Sequence, residues 1–126
     1  MLFRSLYDPE TIRATTGSFF ALPTVRLPSQ QELLPWLAGL RQRYADLQVV
    51  GTSAKAEVDV AQHDFRRATV LLLGNETSGL SHAYKELCDA LVTIPIGGAA
   101  TSLNVACAAS ILLYEANRQR RAVSGF

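Results

Sequence analysis

Two glycine-bearing stretches hold residue types from which a binding site could be built: Gly74-Asn75-Glu76-Thr77-Ser78-Gly79 and Ile96-Gly97-Gly98-Ala99-Ala100-Thr101. Gly74 and Gly79 have the spacing of a G-x-x-x-x-G phosphate loop. Leu80, however, stands where that motif needs Lys, and Glu76 adds negative charge, so nucleotide-phosphate binding is disfavoured. No G-x-G-x-x-G dinucleotide pattern occurs either. What the two loops offer together is main-chain N–H and C=O groups with few side chains in the way, suited to a flat, mostly neutral ligand. One such loop alone would need no explanation beyond a strand-to-helix turn. Downstream, Ser102 and Asn104 bring polar groups to the start of the last helix. Ser102 reads as its N-cap. Asn104 reads equally as an exposed helical residue or a ligand-facing one, since Asn is a poor helix former.

The elements that must position these loops follow from periodicity. Thr69–Leu73 and Ala90–Ile94 are continuous apolar runs, stopped by Gly74 and Pro95, as expected of strands buried on both faces. Gln48–Thr52 is a shorter strand candidate, and Ser53–Gln62 reads as a surface connection. Helices are expected from Pro9, capped by Asp8, to near Gly17. Another lies behind a Ser29/Glu32 capping box, its start pushed toward residue 32 by Pro35. A short helix covers Ser81–Leu87, and a long one covers Leu103–Gln119 with Val105, Ala108, Ala109, Leu112 and Leu113 on its apolar side. Phe19–Leu22 and Thr24–Leu27 read as extended. Strands alternating with helices imply an α/β fold with a parallel sheet, whose ligands bind at the carboxyl ends of the strands. Those ends carry both glycine loops.

Composition narrows the class. A chain of 126 residues with net charge +1, 48% hydrophobic and 18% charged residues is sized for one domain, 1–126, and is not disordered. Its longest mostly apolar stretch, Val105–Tyr114, is about half the roughly 20 residues a membrane helix needs. The first residues lack the basic start and apolar run of a secretory signal. Cys88 and Cys107 form neither a zinc motif nor a disulfide framework, so a cytoplasmic setting is expected, with both thiols in or near the core and no metal site. Ten of the twelve basic residues are arginine, and Arg118, Arg120 and Arg121 cluster near the C-terminus as a solvated tail or an RNA-phosphate contact.

LLLGNETSGLS (71–81) and VTIPIGGAATSLNVACAASILLYEANRQR (92–120) resemble the second and third motifs of the SpoU/TrmH-type RNA ribose 2′-O-methyltransferases of the SPOUT superfamily. LYDPETIRATTGSFFALPTVR (6–26) is similar to the segment that precedes them. The resemblance implies a Rossmann-like α/β domain with a deep trefoil knot near the C-terminus, an exception to the usual absence of knots. It implies S-adenosylmethionine held by the backbone around Leu73, Gly74, Asn75, Gly79, Ile94, Ile96, Ser102 and Leu103. Catalytic and RNA-facing roles are implied for Glu76, Ser102 and Asn104, and pairing into a homodimer through the knot region. The substrate class implied is a ribose 2′-hydroxyl of tRNA or rRNA.

The family's first motif, an Asn followed by an Arg near a first strand, is not found before residue 6. By the resemblance, the chain is N-terminally short by roughly 25–30 residues. Arg4 and Arg13 lie outside the expected pattern, and Arg13 reads as a structural or RNA-facing residue. Two functions follow as expectations: a 2′-O-methyltransferase, or a module that binds S-adenosylmethionine and dimerises without catalysis.

Overall fold

The computed structural model describes residues 7–14, 21–74, 79–97 and 104–124. Two compact units divide between Trp36 and Leu37. In the first, helix α1 (Pro9–Ala14) starts as its sequence dictates. Asp8 Oδ1 accepts from the Glu10 amide at 2.8 Å, and Pro9 takes the first helical position, where its missing N–H costs nothing. The described part of that helix stops at Ala14; Gly17, Phe19 and Phe20 lie outside the described residues. Residues 21–27, read as part of a short extended segment, form no strand.

The expected capping box does not form. Ser29 makes no side-chain cap bond, and a single 3-10 turn (Gln30–Glu32) leads into helix α2 (Leu33–Arg43). Pro35 explains the late start. It is tolerated only in the first turn, where amides have no intrahelical acceptor, so α2 begins two residues before it.

The second unit is built on four parallel strands, β1 (Gln48–Thr52), β2 (Val58–Asp59), β3 (Thr69–Leu72) and β4 (Ala90–Thr93), in the order β2-β4-β1-β3. Helix α3 (His82–Leu87) connects β3 to β4, with Ser81 accepting from the Tyr84 amide as N-cap. Strand β2 lies where a plain connection was expected. It is a two-residue edge strand with exposed Val58, so it shows no apolar alternation. It turns directly into a 3-10 turn (Val60–Gln62) whose Val60 is buried.

A core cluster is formed by Val50, Val60, Phe65, Val92 and Leu112, with Leu71, Leu73, Ile94 and Ala116 packed against it, while Leu37, Leu47, Val49 and Leu80 are buried outside that cluster. Leu112 comes from helix α4 (Val105–Ser124), which begins two residues later than expected. Its cap is Asn104, not Ser102: Asn104 Oδ1 accepts from the Ala106 amide at 2.8 Å and the Cys107 amide at 3.4 Å. Leu113, expected in the core stripe, is 60% exposed, and Cys107 is exposed as well, whereas Cys88 is half-buried. Helix α4 is apolar on two sides, and only the side bearing Leu112 faces the sheet. Arg118, Arg120 and Arg121 belong to this helix and are not a tail.

The C-terminal turns of α4 are fastened by polar contacts. Gln119 accepts from the Phe65 amide and donates to the His63 carbonyl, both at 2.7 Å. Arg120 donates to the carbonyls of Phe65 and Arg67. Gln48, fully buried at the start of β1, donates to the Asp64 carbonyl and the Thr69 hydroxyl. Its Oε1 accepts from Arg67 at 2.7 Å and from His63 Nε2 at 2.9 Å. Burial, and after it the charge of Arg67, lowers the His63 pKa, with Asp64 opposing.

Glu115, 9% exposed, takes two bonds from Arg118 and one from Gln119. These bonds hold its carboxyl down at about 2, against 4.5 ordinarily. A folded-state pKa below the unfolded one stabilises fully above pH 4.5 and is lost as pH falls toward 2. Glu115→Gln should therefore lower the melting temperature near neutrality, by the equivalent of about 1 kcal/mol. Melting curves of the two proteins should converge between pH 4.5 and 2.

Candidate functional site

The register brings the expected site residues to one edge. Gly51 of β1 lies opposite Leu72 of β3 on one side and Leu91 of β4 on the other. Leu73 and Gly74 thus leave β3 beside the end of β1, and Ile94 leaves β4 on its other flank. With β1 between them, the two exits are separated by two strand spacings, about 10 Å. Leu73 and Ile94 are half-buried against the same core cluster, and Ile96 is half-buried beyond Pro95.

Gly74 and Gly79 do more than end a strand. A Cβ on Gly74 would collide with the backbone of Gly79 and Leu80, falling 2.7 Å from Gly79 Cα. The loop between them therefore leaves and returns through one point, a pinch that only glycine at position 74 permits. Gly79 closes it at φ +68°, a conformation L side chains rarely take. Gly97 is different: a Cβ there meets nothing within 4 Å.

Gly51 carries a signal that its position at a strand end only partly disclosed. A Cβ there would lie 2.6 Å from Cys88 Sγ and 2.8 Å from Leu80 Cδ1. Its absence lets Leu80, just beyond the pinch, and Cys88, which ends α3, pack onto β1. Burial, and after it the charge of Asp89, pushes the Cys88 thiol up, so it serves as packing and not as a nucleophile. Asp89 in turn accepts from the Val49 amide at 2.7 Å and pairs with Arg41. Of the expected residues, Leu73, Gly74, Gly79, Ile94 and Ile96 share this edge. Asn104 heads α4, while Asn75, Glu76, Ser102 and Leu103 lie outside the described residues.

Residues 3–114 match the model of the SpoU rRNA Methylase family. The chain belongs to that family. Among SpoU relatives, it is 49% identical over 115 residues to the 23S rRNA (uridine(2479)-2′-O)-methyltransferase of Streptomyces viridochromogenes, covering 91% of this chain and 40% of that protein. It is 37% identical to the 23S rRNA (guanosine-2′-O-)-methyltransferase RlmB of Pseudomonas syringae pv. tomato, covering 90% of this chain and 44% of that one. The crystal structure of the SpoU methyltransferase AviRb from S. viridochromogenes in complex with AdoMet superposes with a TM-score of 0.88 at 47% identity, over 94% of this chain and 47% of that chain. The parallel α/β architecture is thus that of SpoU methyltransferases. The chain spans about two fifths of the length of the curated relatives it matches. Among the described residues, no group of His, Cys, Asp and Glu is arranged to hold a metal, and no helix is long and apolar enough to cross a membrane.

Proposed function

We propose that this chain serves S-adenosylmethionine-dependent methylation of a ribose 2′-hydroxyl in tRNA or rRNA. The observation that carries the proposal is the pinched Gly74–Gly79 loop at the carboxyl edge of β1, in a chain of the SpoU family. Gly74 and Gly79 put no side chains of their own at that point, and half-buried Leu73, Ile94 and Ile96 supply apolar surface, which suits a bent, mostly uncharged nucleoside.

S-adenosylmethionine, when bound, supplies an electrophilic methyl on a sulfonium. The backbone of Leu73, Gly74, Asn75, Gly79, Ile94, Ile96, Ser102 and Leu103 is assigned to hold it. Glu76, Ser102 and Asn104 are assigned to orient the ribose so that its 2′-oxygen lies in line, within about 3–3.5 Å of the methyl carbon. The bound group would supply the methyl as its C–S bond breaks, and the hydroxyl proton would pass to a nearby base.

Three finer features belong to the same proposal. The C-terminal region forms the trefoil knot of the family, and the two units are parts of one domain, since the family match spans both. The chain pairs into a homodimer through the outer face of α4, where Leu113 is 60% and Tyr114 63% exposed beside Cys107. Free Cys88 and Cys107 suit a cytoplasmic setting.

The deciding experiment is transfer of labelled methyl to an RNA pool, by this chain and by one extended upstream in its reading frame. Transfer by either supports the proposal. Binding of S-adenosylmethionine with no transfer by both would instead favour the non-catalytic module. Asn104 allows a sharper test. Asn104→Ala should lose the cap, about 1 kcal/mol of stability. Asn104→Asp keeps a capping oxygen but not the amide donor, so its melting temperature should hold while methyl transfer falls about tenfold or more.

A further inference from the structure

The opposite end of the sheet carries a second surface that the methyl-transfer edge does not use. Residues 60–69 and the last turns of α4 together contain five arginines, Arg66, Arg67, Arg118, Arg120 and Arg121, against two carboxylates, Asp64 and Glu115. The whole chain is only +1, so the remainder is net negative and the positive charge is concentrated here. Between the two segments runs an open groove of about 340 Å³, with Arg66 on one wall, Arg118 on the other, and His63 and Gln119 between them. Ala61 and Ala122 also line it and add little bulk.

Its arginines are held in place. Arg66 gives Nε and Nη2 to Asp64, at 2.9 and 3.0 Å. Arg118 gives the same two atoms to Glu115, at 2.9 and 2.7 Å. Each guanidinium is thereby fixed by one edge, and among the described residues its Nη1 takes no hydrogen-bond partner. Arg67, beside the groove but not lining it, is held by a neutral acceptor, the Gln48 amide oxygen, which leaves its charge uncancelled. Beneath them, Gln48 and Gln119 tie residues 63–69 to β1 and α4, so the groove is formed before any ligand arrives.

We propose that this groove is a contact for the phosphodiester backbone of RNA, separate from the methyl-transfer edge. The proposal rests on the reading of the chain as an RNA-acting domain and adds to it where the RNA is gripped. Planar guanidinium forks suit phosphate oxygens, and an open groove suits a polymer better than a small metabolite, which needs enclosure. Gln48 and Thr69 begin β1 and β3, so the groove lies one strand length, about 16 Å, from the carboxyl edge. A substrate reaching both must lie along the domain; a single nucleotide would not span it.

The test measures binding of a fluorescein-labelled RNA hairpin by the 126-residue chain across a salt series, with S-adenosylmethionine affinity and melting temperature as controls. Arg66→Gln should weaken RNA binding about five- to tenfold near 50 mM salt. It should also flatten the slope of log K against log salt by about one phosphate contact. Ala122→Glu places a carboxylate in the groove without unpairing any residue and should weaken RNA binding at least as much. Both should leave S-adenosylmethionine affinity unchanged. If the unsubstituted chain binds the hairpin and both variants bind it with the same affinity and slope, the groove proposal is overturned while the methyltransferase reading stands. If the unsubstituted chain does not bind RNA at all, the underlying reading fails with it. Equal binding of polyglutamate, weakened by the same substitutions, would reassign the groove to an acidic protein partner and overturn the RNA contact.

Discussion

Gly74→Ala is expected to weaken S-adenosylmethionine binding by roughly 10- to 100-fold. The added methyl has nowhere to go. It meets the backbone of Gly79 and Leu80, and a main chain cannot rotate aside as a flexible side chain can. Relief requires opening the pinch, which moves Leu73 and Gly74 out of register with the end of β1. Forcing a methylene-sized group into a filled site costs about 1–3 kcal/mol, and under the proposed function the cost falls on the conformation assigned to bind. Two other glycines calibrate the result. Gly97→Ala adds a methyl into open space and should leave affinity unchanged. Gly79→Ala has space but a φ of +68°, so it should cost about 1–2 kcal/mol of backbone strain without a collision. Calorimetric titration of the three variants checks the ranking. Equal affinities for Gly74→Ala and the unsubstituted chain would remove the pinch from the site.

Phe65→Ala should be the most destabilising single truncation, at about 3–5 kcal/mol. Phe65 is fully buried among Val50, Val60, Val92 and Leu112, and its ring edge meets His63 at 4.8 Å between centroids. Its backbone is also the anchor of α4, donating to Gln119 and accepting from Arg120. The substitution thus empties the core and loosens the segment that holds the last helix. Against a total stability of about 5–15 kcal/mol, a large share of the molecules should unfold at modest urea. Phe65→Leu fills most of the space and should cost less than half as much. A midpoint for Phe65→Ala within experimental error of the parent would place the core elsewhere.

Strands β3 and β4 were legible as compact apolar runs followed by Gly74 and Pro95, and the glycine loops because so few residue types tolerate close backbone approach. Burial was misjudged, since β3 is half-buried throughout, β4 is buried only at Val92, and the short β1 is the one buried along most of its length. Where sequence reasoning failed, the deciding interaction was not local. Strand β2 is two residues long with an exposed valine, and it exists because β4 offers it a ladder. Periodicity placed Leu113 in the core stripe of α4, where it is exposed, since a helix apolar on two sides does not announce which one meets the sheet. Ser102 and Asn104 are both competent caps two residues apart, and the observed helix start selects Asn104. Gln48 and Gln119 looked like ordinary polar residues. Their roles depend on Asp64, Phe65 and His63, which lie 15 to 56 positions away along the chain.

The strand order has a consequence for how the protein is made. As the polypeptide leaves the ribosome, β1 and β3 are outside once residue 72 emerges and can pair, while β2, though made before β3, has its ladder partner still to emerge. Strand β4 is last in the chain yet second in the sheet, between β2 and β1. Until residue 93 emerges, one side of β1 from Val50 to Thr52 is an open, apolar hydrogen-bonding edge, the kind on which nascent chains associate wrongly. A nascent chain with residue 72 outside the ribosome but residue 90 still inside would be at its most adhesive, and emergence of the last strand would seal it from the middle outward.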